Sequence, residues 1–180
     1  MFSMNLYVVR HGQTEANTGG ILQGPIVNGQ LTELGEKQME LLRRELTPRI
    51  QKIYSSPLKR VAQSAEILNQ DLGVEIILRE NLKERDYGSL AGNSFANLKN
   101  GAELKKLDDN LQYDYRPFGG ESVAEVKQRI QEFITEIETE NLSDILVVTS
   151  RGPIRLFYQI LNDKMVTDIP NGSLHTFSPC

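Results

Sequence analysis

The chain has few of the residues that staple, anchor or metallate a protein. A single cysteine, Cys180, among 180 residues excludes an internal disulfide framework and a cysteine metal cluster. No stretch approaches the roughly 18 apolar residues that a membrane span needs. The opening Met1-Phe2-Ser3-Met4-Asn5 meets Arg10 before a long apolar run develops, which argues against an ordinary secretory signal. The expected setting is therefore cytoplasmic, with no membrane partner. Positive charge is also in short supply: the net charge is −4 and the sequence pI about 5.3, against a broad nucleic-acid surface. Global charge does not exclude a local pair of buried arginines. Histidine is scarce as well, His11 and His175 being the two in the chain. With 39% hydrophobic and 24% charged residues, the composition suits one soluble globular domain over residues 1–180. A chain of this length can bury roughly 70% of its unfolded surface without help from a disulfide or a structural metal.

Short β-branched runs alternate with helical stretches, the pattern of an α/β sandwich around a largely parallel sheet. Strands are expected at Asn5–Val9, Gln51–Ser55, Val74–Leu78, Ile145–Thr149 and, after the Asn171-Gly172 turn, Ser173–Ser178. Thr32 is placed to cap a helix over Glu33–Leu46, with Leu34, Leu41, Leu42 and Leu46 as its buried face. Ser56-Pro57 reads as an N-cap with proline at the first helical position, followed by a face of Leu58, Val61, Ala62, Ala65 and Leu68. Gly73 ends that helix. Ser122-Val123-Ala124-Glu125 is a capping box before the stripe Val126, Ile130, Phe133, Ile134 and Ile137. A last helix is expected from Pro153 to Leu161. No repeat, low-complexity tract or linker interrupts the chain. The polar stretch Ser89–Gly120 departs from this regularity. It reads as an insertion over one face of the domain, either a cover for the active site or a solvated helix without a role.

Ligands of open α/β sheets bind beyond the carboxyl ends of the strands. Those ends carry Arg10-His11-Gly12-Gln13-Thr14 with Asn17 behind, Ser55-Ser56-Pro57 with Arg60, Glu84-Arg85, and Ser150-Arg151-Gly152-Pro153. A histidine, arginines and a carboxylate converging on one edge suit phosphoryl transfer. Neutral imidazole is a competent nucleophile, and guanidinium groups stabilise the charge on the transferring oxygens without a metal. A carboxyl with a raised pKa supplies the proton that the leaving alkoxide needs. Gly12 is read as allowing the backbone close to the phosphate, with the following turn pointing N–H groups inward. Taken singly these residues have plainer readings: Arg60 as a surface helix residue, Glu84 as part of a solvated charged turn. His175, on the last strand, is read as an ordinary strand residue.

The segments VVRHGQTEAN, LQG with LTELGEKQ, SSPLKRVAQSAEIL, LKERDYGSLAG, FGGES and VVTSRGPIR run in order from Tyr7 to Arg155. Through them the chain resembles the histidine phosphatase superfamily, in its phosphoglycerate mutase-like branch. The resemblance implies a three-layer sandwich: a mostly parallel mixed sheet with helices on both faces. It also implies His11 as phosphorylated nucleophile, Glu84 as proton donor, Arg10, Asn17 and Arg60 as phosphate ligands, and no metal or cofactor. The family pattern departs at one place. Where it has a second histidine and a glycine, this chain has Ser150 and Arg151. Ser150 and Arg151 are candidate phosphate contacts, and Arg151 is expected either to lend its guanidinium to the phosphate or to leave a cleft that binds with little turnover. Gln13 and Gln23 are further candidates for substrate contact.

Three functions follow as expectations. The first is a metal-independent phosphomonoesterase acting on a small phosphorylated metabolite through phosphohistidine. The second is a catalytically impaired phosphatase-fold protein that binds a phosphorylated ligand, and the third a phosphoglycerate mutase. The oligomeric state is not legible.

Overall fold

The computed structural model describes residues 4–46 and 49–178. Five strands form one mixed sheet in the order β3-β2-β4-β1-β5. The strands are β1 Asn5–Arg10, β2 Lys52–Ser55, β3 Ile76–Leu78, β4 Asp144–Thr149 and β5 Leu174–Phe177. The first four are mutually parallel and β5 runs antiparallel on β1. The helices are α1 Glu15–Thr18, α2 Glu33–Glu45, α3 Lys59–Asn69, α4 Gly101–Asp109, α5 Val123–Glu138 and α6 Arg151–Asn162.

Period-2 alternation in the central strands divides the core into two layers. Leu6 and Val8 of β1, with Ile145 and Val147 of β4, face Val126, Ile130 and Phe133 of α5 and Phe157 of α6. Val9, Leu146 and Val148 face Met39 and Leu42 of α2 and Val61, Ala65 and Leu68 of α3. The expected three-layer sandwich is what forms. No helix among the described residues is long and apolar enough to cross a membrane.

The capping box of α5 is present: Glu125 N donates to Ser122 Oγ at 3.3 Å and Ser122 N to Glu125 Oε2 at 2.8 Å. All five residues of its expected stripe are buried. The face of α2 is different from expectation. Its buried residues are Gly35, Met39 and Leu42, while Leu34 and Leu41 are 52% and 58% exposed. The cause is a close approach of backbones. A Cβ on Gly12 would lie 2.4 Å from Gly35 O, and one on Gly35 would lie 2.2 Å from Gln13 O. The glycine face must therefore turn inward, and Leu34, about 100° around the helix, turns out. Helix α3 begins at Lys59, with no side-chain cap; Ser56 instead accepts from Leu58 N at 3.4 Å in the preceding bend. Its buried side includes Arg60 and Ser64, while Ala62 is only half-buried. Strands β3 and β5 are shorter than expected, and α6 starts two residues earlier, at Arg151. Cys180 lies outside the described residues.

The 89–120 stretch is not uniformly polar in its packing. Short 3-10 turns at Gly88–Leu90, Phe95–Asn97 and Arg116–Phe118 flank α4, and Leu90, Leu111, Tyr113 and Tyr115 join the core on the α5/α6 side.

Candidate active site

Parallel strands carry their carboxyl ends to one edge, and register decides which residues meet there. Arg10 of β1 pairs with Thr149 of β4, so the residues that follow, His11 and Ser150, stand side by side. His11 N donates to Thr149 O at 3.0 Å, and Ser56 N, after β2, to Val148 O at 3.1 Å. The segment that leads to Glu84 is tied to the same edge, because Thr149 Oγ1 donates to Leu82 O at 2.6 Å. A cavity of about 280 Å³ opens here, with His11, Arg10, Asn17, Gln23, Arg60, Glu84, Arg85, Lys105, Asp109 and Arg151 in its wall.

His11 is 2% exposed and its Nδ1 lies 2.7 Å from Gly12 O. A carbonyl oxygen only accepts, so Nδ1 carries the proton and Nε2 keeps its lone pair. Burial, then Arg60 and Arg10, hold the imidazole well below its ordinary pKa. The ring is thus neutral and in the tautomer a nucleophile needs.

Two guanidinium groups flank it. Arg60 is 1% exposed and donates to Gly24 O at 3.0 Å and Val27 O at 3.3 Å. Arg10 donates to Ile169 O at 2.5 Å. The Nε of each is buried without a protein hydrogen-bond partner among the described residues. Burial brings the Arg10 pKa down to about 10, and it lowers that of Arg60. Both remain cations with donors to spare, a fit for an anion.

The amides of residues 12–14 are spent on side chains, so Gly12 does not offer its N–H to a ligand as expected. Gly12 N donates to Ser64 Oγ at 3.2 Å, Gln13 N to Gln38 Oε1 at 2.9 Å and Thr14 N to Asn17 Oδ1 at 3.0 Å. The glycine serves the contact with Gly35 described above. Asn17 lines the cavity and spends its amide oxygen on Thr14 and on Asn171 Nδ2, at 3.1 Å, so its own Nδ2 is the group it can offer a ligand. Gln23 is in the wall and its Oε1 accepts from Thr14 Oγ1 at 3.2 Å. Gln13 is not in the wall; its Oε1 accepts from Thr32 Oγ1 at 3.1 Å, beside the start of α2.

Glu84 is 8% exposed and heavily bonded. Arg85 N and Nη1 reach its Oε1 at 2.9 and 2.8 Å, and Gly152 N reaches Oε2 at 3.2 Å. Burial alone would push this carboxyl up. Arg85, the two N–H bonds and the more distant Arg60 outweigh burial and hold it below the ordinary carboxylate range. The raised pKa expected of a proton donor is therefore absent from the free site. Position 152 has to be glycine for this geometry, because a Cβ there would lie 2.2 Å from Glu84 Oε1 and 2.3 Å from Arg85 Nη1.

Ser150 flanks α6 without capping it, and its Oγ is buried with no partner among the described residues. It is not part of the cavity wall. Arg151 is in the wall, but its guanidinium is drawn towards α4 and the loop beyond α6. Its Nη2 lies 3.1 Å from Thr167 O and 3.5 Å from Asp109 Oδ1. His175 sits on β5 between Tyr158 Oη, at 2.9 Å, and Ser173 Oγ, at 2.8 Å, and is not in the cavity wall.

Sequence reasoning passed over the centre of the charge network. Asp108 of α4, 1% exposed, accepts from Arg85 Nη2 at 2.5 Å, Arg155 Nη1 at 3.2 Å and Tyr115 Oη at 3.0 Å. Nothing in Lys105-Lys106-Leu107-Asp108-Asp109 separates this aspartate from a solvated neighbour. Among the described residues, no group of three or more His, Cys, Asp or Glu is placed to hold a metal ion.

The sequence and the fold have relatives among known proteins. The sequence model of the Histidine phosphatase superfamily (branch 1) matches residues 6–179. Phosphoserine phosphatase 1 of Hydrogenobacter thermophilus is 32% identical over 167 residues, 86% of this chain and 74% of that protein. Fructose-2,6-bisphosphatase TIGAR of Xenopus tropicalis is 35% identical over 133 residues, which cover 71% of this chain and 47% of that protein. The crystal structure of a phosphoglycerate mutase from Thermus thermophilus superposes with a TM-score of 0.79. It is 27% identical and covers 96% of this chain and 92% of its own.

Proposed function

The chain belongs to branch 1 of the histidine phosphatase superfamily, and from that premise we propose that it is a metal-independent phosphatase of a small phosphorylated metabolite. Relatives named as phosphoserine phosphatase and fructose-2,6-bisphosphatase support the substrate class. The observation that carries the reading is His11: a buried imidazole, neutral, with Nε2 deprotonated, between two arginines whose Nε groups lack protein partners among the described residues.

In the proposed reaction His11 Nε2 attacks phosphorus, the N–P bond forms and the ester P–O bond breaks. Arg10 and Arg60 balance the charge on the transferring oxygens. Glu84 delivers its proton to the leaving alkoxide. Water then attacks the phosphohistidine, Glu84 takes one of its protons, and inorganic phosphate departs with His11 regenerated. The depressed pKa of Glu84 in the free site is compatible with this role. A phosphate dianion bound beside the carboxylate raises its pKa by like-charge repulsion, so the acid takes up its proton as substrate binds. The 89–120 stretch supplies Phe95, Lys105 and Asp109 to the cavity wall, which supports its reading as a cover.

Ser150 favours a second reading, a phosphate-binding protein with little turnover. The position beside His11 holds a hydroxyl that does not reach the cavity, and loss of one preorganised donor costs about 10²–10³ in rate. Hydrolysis of an aryl phosphate separates the two. Turnover that survives a chelator, vanishes in His11→Ala and leaves acid-labile phosphate on His11 is the expected result. Equal rates in wild type and His11→Ala refute catalysis. Thermal stabilisation by inorganic phosphate with no phosphohistidine then identifies the binder.

A further inference from the structure

The turn before β5, legible in sequence through Asn171-Gly172, is bonded along its length to the loop that carries His11. Arg10 Nη1 donates to Ile169 O at 2.5 Å, and Arg10 N donates to Ser173 O at 3.0 Å. Gly172 N donates to Arg10 O and His11 O at 3.1 and 3.3 Å. One side chain of the turn reaches further. Asn171 Nδ2 lies 3.1 Å from His11 O, 3.4 Å from Gly12 O and 3.1 Å from Asn17 Oδ1. Carbonyl oxygens only accept, so the two backbone carbonyls oblige Asn171 to present its NH2 group on this side. The second hydrogen of that group is then available to Asn17 Oδ1. Asn171 is itself outside the cavity wall, whereas Asn17 is in it.

Asn17 needs such a partner. The two ends of its amide are nearly alike in shape, and hydrogen bonds decide whether Nδ2 or Oδ1 faces an anion. Helix α1, which carries it, has four residues and none of them is buried, so packing does not place the side chain. Thr14 N donates to Asn17 Oδ1 at 3.0 Å, but this bond lies within the same short turn and moves with it. Thr14 Oγ1 has one proton for two acceptors, Asn17 Oδ1 at 3.0 Å and Gln23 Oε1 at 3.2 Å. Asn171 stands 154 residues away in sequence, at the edge of the sheet, and its bond relates Asn17 to the frame that holds His11.

We propose that Asn171 is a positioning residue: anchored on the carbonyls of His11 and Gly12, it holds the Asn17 amide so that Nδ2 faces a phosphoryl group at His11. The proposal rests on the reading of the cavity as a phosphate site with Asn17 among its ligands.

Binding of inorganic phosphate, measured by calorimetry through a double-mutant cycle, tests it. Asn17→Ala should weaken binding about tenfold or more, the effect of losing a hydrogen bond to a charged group. Asn171→Ala should weaken it several-fold when Asn17 is present and by less than about twofold in the Asn17→Ala background. A residue that merely braces the fold lowers the melting temperature alone, or has its full effect in both backgrounds, and either result overturns the proposal. The side-chain amide resonance of Asn17, assigned by its loss in Asn17→Ala, gives a second readout. It should shift when phosphate is added to wild type and shift little in Asn171→Ala. No shift in wild type overturns the proposal even where Asn171→Ala fails to fold. A wild type that binds no phosphate refutes the phosphate reading and the aiming of Asn17 with it, whereas binding with additive effects refutes the role of Asn171 alone.

Discussion

Replacing Asp108 by asparagine should cost more stability than its place in a charged surface-like helix suggests. The carboxylate is 1% exposed and accepts from two guanidinium groups and a tyrosine, with Arg85 Nε and Nη2 at 3.2 and 2.5 Å, Arg155 Nη1 at 3.2 Å and Tyr115 Oη at 3.0 Å. Asparagine has nearly the same shape, so the change removes charge without opening a cavity. It leaves Arg85 with Glu84 alone, and Arg155 with backbone carbonyls for its bonds. Removing one partner from a buried ion cluster costs about 3–5 kcal/mol, because the remaining charge stays desolvated. For a domain of this size that corresponds to roughly 6–20 °C in Tm, at about 2–4 °C per kcal/mol. Urea unfolding followed by circular dichroism, together with calorimetry, measures both. Asp114→Asn is the control, since Asp114 pairs with Arg116 in solvent. A loss below about 1 kcal/mol for Asp108→Asn, or one no larger than the control's, refutes a stabilising role for the bonds from α4 to Arg85 and Arg155.

Gly152→Ala should lower kcat by about 10² and stability by roughly 1–3 kcal/mol, since its Cβ has to displace Glu84 and Arg85; kinetics and melting as in wild type would show that the contact is slack. Ser150→His should raise aryl phosphate turnover by about 10²–10³ if this position stands where a second imidazole completes the site, and an unchanged rate denies it that role. In NMR titrations neither histidine should show a midpoint at 6.5 or above, because burial lowers both, with Arg60 and Arg10 adding to the effect on His11. The linked stability is full above pH 6.5, where both states are neutral, and is lost as pH falls from there towards the folded pKa, because the unfolded chain takes up protons first. Stability that increases as pH drops through this window, with the carboxylates accounted for by a His11→Asn reference, contradicts the assignment.

The legibility of this site divides along a physical line. Strand ends were readable because short β-branched runs stop at polar residues, and each of Arg10, Arg60, Glu84 and Arg151 does stand in one cavity wall. Gln13 was misplaced because one residue along a loop reverses a side chain's direction, and only the packing of Gly12 on Gly35 shows which way it goes. The same contact rotates α2 and exposes Leu34 and Leu41, which apolar spacing had turned inward. Asp108 was invisible for a related reason. Its burial depends on α4 folding back beneath Arg85 and Arg155, pairings that span 23 and 47 residues of sequence.

His11 and its arginines, the α/β alternation and the α5 capping box were determined by the sequence itself, because each is a matter of residue identity or local spacing. Tertiary structure alone decided the tautomer of His11, the ionised state of Glu84 and the pairing of the loop amides with side chains. These depend on which groups are desolvated together and at what distance, and both quantities come into being only when the strands align their ends and the helices close over them.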